Sequence, residues 1–474
     1  MKILYVTSEA GPYAASGGLG DVMGALPLAV ADRDAQITAE VILPLYDTVK
    51  EEYRKELELV ADISFKLSWR KTGASIYKLS RGGVNYYFVE NHYYFERGRL
   101  YGEYDDAERF AFFSRAVVEY ILSSGNVPDV LHANDWQTAM TVVYLKTEYA
   151  RIEALSKIKT VYTIHNIEYQ GKYDPYILGD VFGLDIKYKG VLEYNGCLNL
   201  MKGAIVSADY VTTVSPNYRN ELEHDFFSFG LSSIIKAAKS KMSGVINGID
   251  YSYFSPERGG DIYFDYDSSN YKSGKAKNKA QLQAELGLPV NRNIPLVVMI
   301  TRLTAGKGID LVLHILDELL SERVQFVVLG TGESEYESAF KEAEARHPNL
   351  RALIKFDRVI SKKMYAAADI FLMPSKSEPC GLAQMIACSY ATVPVVRSVG
   401  GLYDSIRSFG EDGANGFRCD NYNAHELLFT LKTALELYRD KKSWGKLTLG
   451  AKNSDFSWDN SASKYVAIYN DLLN

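Results

Sequence analysis

Short apolar runs alternate with longer amphipathic stretches along most of the chain. In the first half, runs rich in β-branched and aromatic residues fall at 2–8, 40–43, 84–89, 129–132, 159–165, 210–214 and 244–246. Most are too short for helices and apolar at consecutive positions, the mark of strands buried on both faces of a parallel sheet. The amphipathic stretches between them read as helices that cross from one strand to the next. Residues 62–89 look more like a hairpin that decorates one side of this sheet.

The texture changes near residue 250. Positions 251–279 are rich in Tyr, Asp, Ser, Gly and Lys without a helical period, so an irregular connector is expected there. A second α/β series follows, with strands expected at 296–301, 324–330, 352–355, 370–373 and 393–397. Helices are expected at 308–320, 333–346 and 380–390. The fold class is therefore α/β, with two doubly wound domains at 1–250 and 251–456. Two such halves imply a deep cleft between them, a common place for ligands.

Composition narrows the partners. The chain has 474 residues, enough for two cores, and a net charge of −6. An acidic balance argues against nucleic acid, which is usually met by a basic surface. No window approaches the roughly 18 apolar residues of a membrane helix, so no membrane association is expected. The opening MKILYVTS is too short for an export signal and reads as a strand. Cys197, Cys380, Cys388 and Cys419 lack CxxC spacing, and the seven histidines show no ligand pattern. No metal, no cofactor and a cytoplasmic setting are expected. The 35 tyrosines offer faces on which sugars can stack, although most would serve as half-buried packing.

Candidate chemistry sits where strands end. Ser8-Glu9-Ala10-Gly11-Pro12 leads into Ser16-Gly17-Gly18-Leu19-Gly20-Asp21-Val22, a strand, a glycine loop and a helix start whose N–H groups can face a pyrophosphate. A plain turn has the same appearance. Thr301-Arg302-Leu303-Thr304-Ala305-Gly306-Lys307-Gly308 places two cations after a strand, suited to a departing diphosphate or simply solvated on a loop. Ser377-Glu378-Pro379-Cys380-Gly381-Leu382 puts a carboxylate and a helix start after another strand. Glu378 can face a sugar there, or merely favour the helix dipole. His165-Asn166 and His132-Ala133-Asn134-Asp135-Trp136 end two more strands, where a histidine can bond a sugar hydroxyl or serve structure alone.

Together these segments resemble the bacterial glycogen and starch synthase family of retaining glycosyltransferases with GT-B architecture. The resemblance runs through SGGLGDV, HANDWQT, TIHNIEYQG, VSPNY, VINGID, TRLTAGKG, LGTG, SEPCGL, VGGL and NGF in family order. It implies transfer of glucose from ADP-glucose to the non-reducing end of an α-1,4-glucan, with UDP-glucose as the alternative donor. A catalytically silent glucan-binding protein is the alternative of another class. The resemblance further implies that Arg302 and Lys307 grip the donor diphosphate, with Glu378 beside the transferred glucose and His165 on a sugar hydroxyl. Gly18, Gly330, Cys380, Gly381, Leu382, Gly400 and Gly401 would line the donor. Asp21, Tyr101, Asp135 and Asn166 would meet sugar or acceptor. The closing segment 457–474 would cross back as a helix onto the first domain. Three positions depart from the family pattern: Phe356 stands where tyrosine is more usual, Ala15 where most members have lysine, and Val399 where threonine is usual. The last two each remove a polar contact from the diphosphate's surroundings, so weaker donor binding is expected. A charge-assisted hydrogen bond lost there is worth about 1.5–3 kcal/mol.

Overall fold

The computed structural model describes residues 1–257 and 260–474. They form two compact units, one of Met1–Gly248 with Trp458–Asn474 and the other of Ile249–Ser457.

In the first unit the strands are β1 (Lys2–Val6), β2 (Thr38–Pro44), β3 (Glu58–Leu67), β4 (Arg70–Arg81), β5 (Val84–Glu90), β6 (Val130–Asn134) and β7 (Lys159–Ile164). Three short strands, β8 (Lys172–Tyr173), β9 (Glu193–Tyr194) and β10 (Cys197–Asn199), make a small antiparallel sheet, and β11 (Tyr210–Thr213) and β12 (Met242–Gly244) complete the main one. The main sheet has the order β12-β11-β7-β6-β1-β2-β5-β4-β3. It is parallel from β12 to β5, and β4 and β3 are antiparallel additions, the hairpin expected from residues 62–89. Consecutive residues of β2 and β6 are buried, as they must be when both faces are covered. β12 starts two residues before the expected run, because it is Met242–Gly244 that pairs with Val211–Thr213.

The second unit holds a six-stranded, wholly parallel sheet of β13 (Leu296–Ile300), β14 (Gln325–Leu329), β15 (Leu350–Leu353), β16 (Ile370–Met373), β17 (Val393–Arg397) and β18 (Phe417–Cys419). Its order is β15-β14-β13-β16-β17-β18. The helix Ile309–Ser321 packs on it through Ile309, Val312, Ile315, Leu316 and Leu319, a stripe at helical spacing.

One expectation is overturned. The last nine residues of the supposed irregular connector, 271–279, belong to the helix Tyr271–Glu285. Its buried face is Tyr271, Gly274, Asn278, Lys279, Leu282 and Gln283, which has helical spacing but little apolar character. Those polar groups are paired: Lys279 Nζ bonds Asp369 at 2.6 Å, and Gln283 Nε2 bonds Gln325 at 2.7 Å. A hydropathy period cannot reveal a face that is buried through hydrogen bonds.

The last helix, Trp458–Leu473, belongs to the first unit and packs on the helix Gly18–Arg33. Trp458, Ser461, Ala462, Tyr465 and Tyr469 form its buried stripe. Among the described residues no helix is long and apolar enough to cross a membrane.

Candidate active site

In a doubly wound sheet, ligands bind at the carboxyl ends of strands where the strand order reverses, since the loops there diverge and leave a crevice. In the first unit the reversal lies between β1 and β6, because the chain builds outward on the β2 side before it returns to the β6 side. Asp135 and His165 stand just past β6 and β7 at this end. Asp135 has φ 57° and ψ 179°, a conformation that a non-glycine residue adopts only at a cost. The turn points its Oδ1 at two backbone donors, the N–H of His165 at 2.8 Å and of Asn166 at 3.4 Å. Burial pushes the Asp135 carboxyl up to about 7, against the pull of those two N–H groups, and the Glu9 charge raises it further. Burial also holds His165 down to about 3, so the ring is neutral. Its Nε2 lies 2.9 Å from Asn134 Oδ1. Asp135, His165 and Asn166 are therefore brought together.

Glu9, one residue past the apolar run that begins the chain, organises the glycine loop. Its buried carboxylate accepts from Ser16 N–H at 2.6 Å, Ser16 Oγ at 2.7 Å, Gly17 N–H at 3.2 Å and Tyr101 Oη at 2.7 Å. The loop thus already cradles an anion, and that anion belongs to the protein. Among the described residues, the N–H groups of Gly18 and Leu19 at the start of the helix have no protein acceptor. Gly18 is exposed, with nothing within 4 Å of where a Cβ would stand. Asp21 is exposed in the first turn of that helix. Tyr101 also lies 2.8 Å from Ser8 Oγ, so its hydroxyl is part of the loop's support.

His132 takes no place at the strand tip. It is fully buried, with Nδ1 2.7 Å from Tyr469 Oη of the closing helix and Nε2 2.5 Å from Thr163 Oγ1. It is a structural pin.

In the second unit the reversal falls between β13 and β16. Lys307, past β13, donates to Glu378 Oε2, past β16, at 2.6 Å, and Ser375 Oγ donates to the same oxygen at 3.0 Å. Both charged side chains are largely buried. The two loops are fastened by the Lys376 N–H to Gly306 O bond at 2.9 Å. A Cβ on Gly308 (φ 71°) would come within 2.2 Å of Pro374 O, so that close approach requires glycine. Arg397, at the end of β17, donates from Nε to Ser375 O at 2.8 Å and also to Lys376 O, and so holds the Glu378 loop from below.

Arg302 lies on the same loop as Lys307 but is exposed, and among the described residues it makes no ion pair. Gly330, past β14, packs its Cα against Thr301 O. Cys380 is buried, whereas Gly381 and Leu382 are half-buried and lead into the helix Ala383–Ser389. Gln384 Nε2 fixes this turn by donating to Cys380 O, Gly381 O and Ser405 Oγ at 3.2, 2.9 and 3.0 Å. Among the described residues, the N–H groups of Gly381 and Leu382 bond no protein acceptor. Gly400 and Gly401 are buried beneath the same turn, and Gly401 N–H is shared by Glu378 O and Pro379 O at 3.1 Å each.

The sequence reading did not single out Glu9, Asn134, Ser375, Gln384 or Arg397. Glu9 and Arg397 had a signal: each is a charged residue at the carboxyl end of an apolar run. Among the described residues no group of three or more His, Cys, Asp or Glu is placed to hold a metal ion.

Residues 2–237 match the starch synthase catalytic domain family, and residues 280–448 match glycosyl transferases group 1. The chain is 43% identical to glycogen synthase from Exiguobacterium sibiricum over 99% of its own length and 98% of the relative's. It is also 43% identical to glycogen synthase from Bacillus subtilis over 100% and 98%. The catalytic domain of Arabidopsis thaliana starch synthase IV, bound to ADP and acarbose, superimposes with a TM-score of 0.89 at 32% identity over 99% of both chains. Sucrose-phosphate synthase from Thermosynechococcus elongatus shares the fold, with a TM-score of 0.62 at 16% identity over 99% and 98%. Identity at this level over the whole chain, on two Rossmann-like sheets whose polar residues gather at the strand-order reversals, shows that the protein belongs to the glycogen synthase family of GT-B glycosyltransferases.

Proposed function

We propose that the protein transfers glucose from ADP-glucose to the non-reducing end of an α-1,4-glucan with retention of configuration, in the cytoplasm. The observation that carries this reading is the Lys307–Glu378 pair at the strand-order reversal of the second unit. Before donor arrives, Glu378 keeps the ammonium in place and neutralised. A diphosphate brings charge that Lys307 and the exposed Arg302 can neutralise as the bond from glucose C1 to the phosphate oxygen breaks. The acceptor hydroxyl attacks C1 from the face that the diphosphate leaves, and its proton passes to the departing phosphate oxygen. No second carboxylate is needed as a nucleophile, unlike in retaining glycosidases.

The N–H groups of Gly381 and Leu382, with the backbone at Gly330 and Cys380, would line the donor. Gly400 and Gly401 would contribute by supporting the Glu378 turn. In the first unit, His165, Asp135 and Asn166 would recognise sugar hydroxyls, and Gly18, Asp21 and Tyr101 would border them. The ADP and acarbose bound by the starch synthase neighbour support an adenine nucleotide donor and a glucan acceptor.

The test is initial-rate transfer from ADP-glucose and from UDP-glucose to a maltooligosaccharide primer. Faster transfer from UDP-glucose would overturn the donor assignment. Failure to incorporate labelled glucose from either donor would favour a glucan-binding protein without turnover, the reading that Ala15 and Val399 favour.

A further inference from the structure

We infer that Asn134 is a positioning residue that fixes the His165 imidazole as its Nε2–H tautomer, leaving Nδ1 as a permanent hydrogen-bond acceptor for a ligand hydroxyl. The inference rests on the reading of His165 as a sugar contact, and it assigns that contact a direction.

Asn134 ends β6 and is fully buried. Its Nδ2 donates to two backbone carbonyls, Val6 O of β1 and His132 O, each at 3.2 Å. Its backbone is held as well, with N–H donating to Thr138 Oγ1 at 2.7 Å and the carbonyl accepting from the same hydroxyl at 2.8 Å. Rotating the amide by half a turn would set Oδ1 against two carbonyl oxygens and strand both, a costly exchange in a buried site. The amide orientation is therefore determined, and it is the carbonyl oxygen, at 2.9 Å, that faces His165 Nε2. An oxygen without a proton can only accept, so Nε2 must carry the hydrogen. In a neutral ring the other nitrogen is then bare.

Burial keeps the ring neutral. Among the described residues Nδ1 has no hydrogen-bond partner, and the side chain is half-buried rather than enclosed. A ligand hydroxyl that reaches the His165 ring thus meets an acceptor there, and is matched if it donates.

The experiment is nitrogen–proton correlation spectroscopy on ligand-free protein labelled with 15N-histidine, the His165 signals being assigned by their loss in His165→Gln. Wild type is expected to show a protonated Nε2 and an unprotonated Nδ1 at neutral pH. Asn134→Leu should give a mixture of tautomers and lower kcat/KM by about tenfold, the worth of one hydrogen bond held in the reacting complex. An Nδ1–H tautomer or an imidazolium in wild type overturns the inference without recourse to any variant. So does a tautomer unchanged in Asn134→Leu, or an altered tautomer with unaltered kcat/KM. Absence of transfer by wild type would instead refute the proposed function, because the tautomer is read without turnover.

Discussion

Replacing Asp135 by Asn should stabilise the first unit above neutral pH while impairing the enzyme. The carboxyl is raised from its ordinary 3.8 to about 7, with burial as the largest cause, so the folded protein binds this proton more tightly than the unfolded chain does. Between those two values the native state holds more protons than the unfolded state, and stability must fall as pH rises. The carboxylate's cost is absent below about pH 4 and fully present above about pH 7. About three pKa units at 1.36 kcal/mol each give ~4 kcal/mol as the upper bound. Partial exposure of the side chain reduces the working figure to about 2–4 kcal/mol. Asn has the same shape as Asp and retains an oxygen for the N–H groups of His165 and Asn166, so the turn should survive. At pH 8 the gain corresponds to roughly 4–8 °C in the melting temperature, on a scale of about 2 °C per kcal/mol for a unit of this size. Calorimetry of both proteins from pH 5 to 8 should show the gap widening with pH. Asp135→Ala, which loses the acceptor and is poorly suited to φ 57°, should show a net loss at low pH. A variant no more stable than wild type at pH 8, or a gap that does not vary with pH, would refute the reasoning. With kcat/KM falling as stability rises, Asp135 would be a residue whose stability cost is tied to function.

Lys307→Ala and Glu378→Ala should each cost about 1–3 kcal/mol, because each leaves its partner largely buried and unpaired, and the double variant should cost less than the sum; urea melts of all four proteins check this, with turnover nearly lost in every variant. Gly330→Ala would place a methyl 1.8 Å from Thr301 O, so β13 and β14 must part at their carboxyl ends. A loss of more than about 2 kcal/mol by the same melts is expected, as is usual for forced overpacking. Ala15→Lys should lower the KM for ADP-glucose several-fold with little change in kcat, since Ala15 is exposed and can carry a longer side chain; steady-state kinetics in low salt decide it, and an unchanged KM would mean another group already fills that role. Tyr469→Phe should strand the buried His132 Nδ1 and cost about 1–3 kcal/mol, seen as a lower melting temperature.

Residue patterns made the strand tips legible and left the partners at those tips hidden, and the difference has a physical basis. An apolar run that stops at a polar or glycine residue marks where a buried strand leaves the sheet, so Arg302, Asp135 and His165 could be placed at carboxyl ends from sequence alone. Whether two tips touch depends on strand order. Lys307 and Glu378 are 71 residues apart in the chain and meet only because β16 crosses back to pair with β13 on the side opposite β14. The glycine loop makes the same point more sharply. SGGLG reads as a cradle for an external phosphate, yet two of its N–H groups are filled by Glu9, a residue only seven positions earlier. Short range did not help, because the outcome depends on the path of residues 10–15 and not on spacing. The helix Tyr271–Glu285 failed for the converse reason, since its buried stripe is written in Asn, Lys and Gln that become core-compatible only once Phe264, Asp369 and Gln325 are in place. Hydropathy thus reports burial driven by water exclusion, whereas polar groups buried by pairing are set by the tertiary fold. The polar and charged residues gathered at the strand tips belong to the second kind. It follows that neighbours such as Asn134, bonded to His165, and Arg397, bonded to the loop that carries Glu378, are best identified from the pairing of individual donors and acceptors at each strand tip.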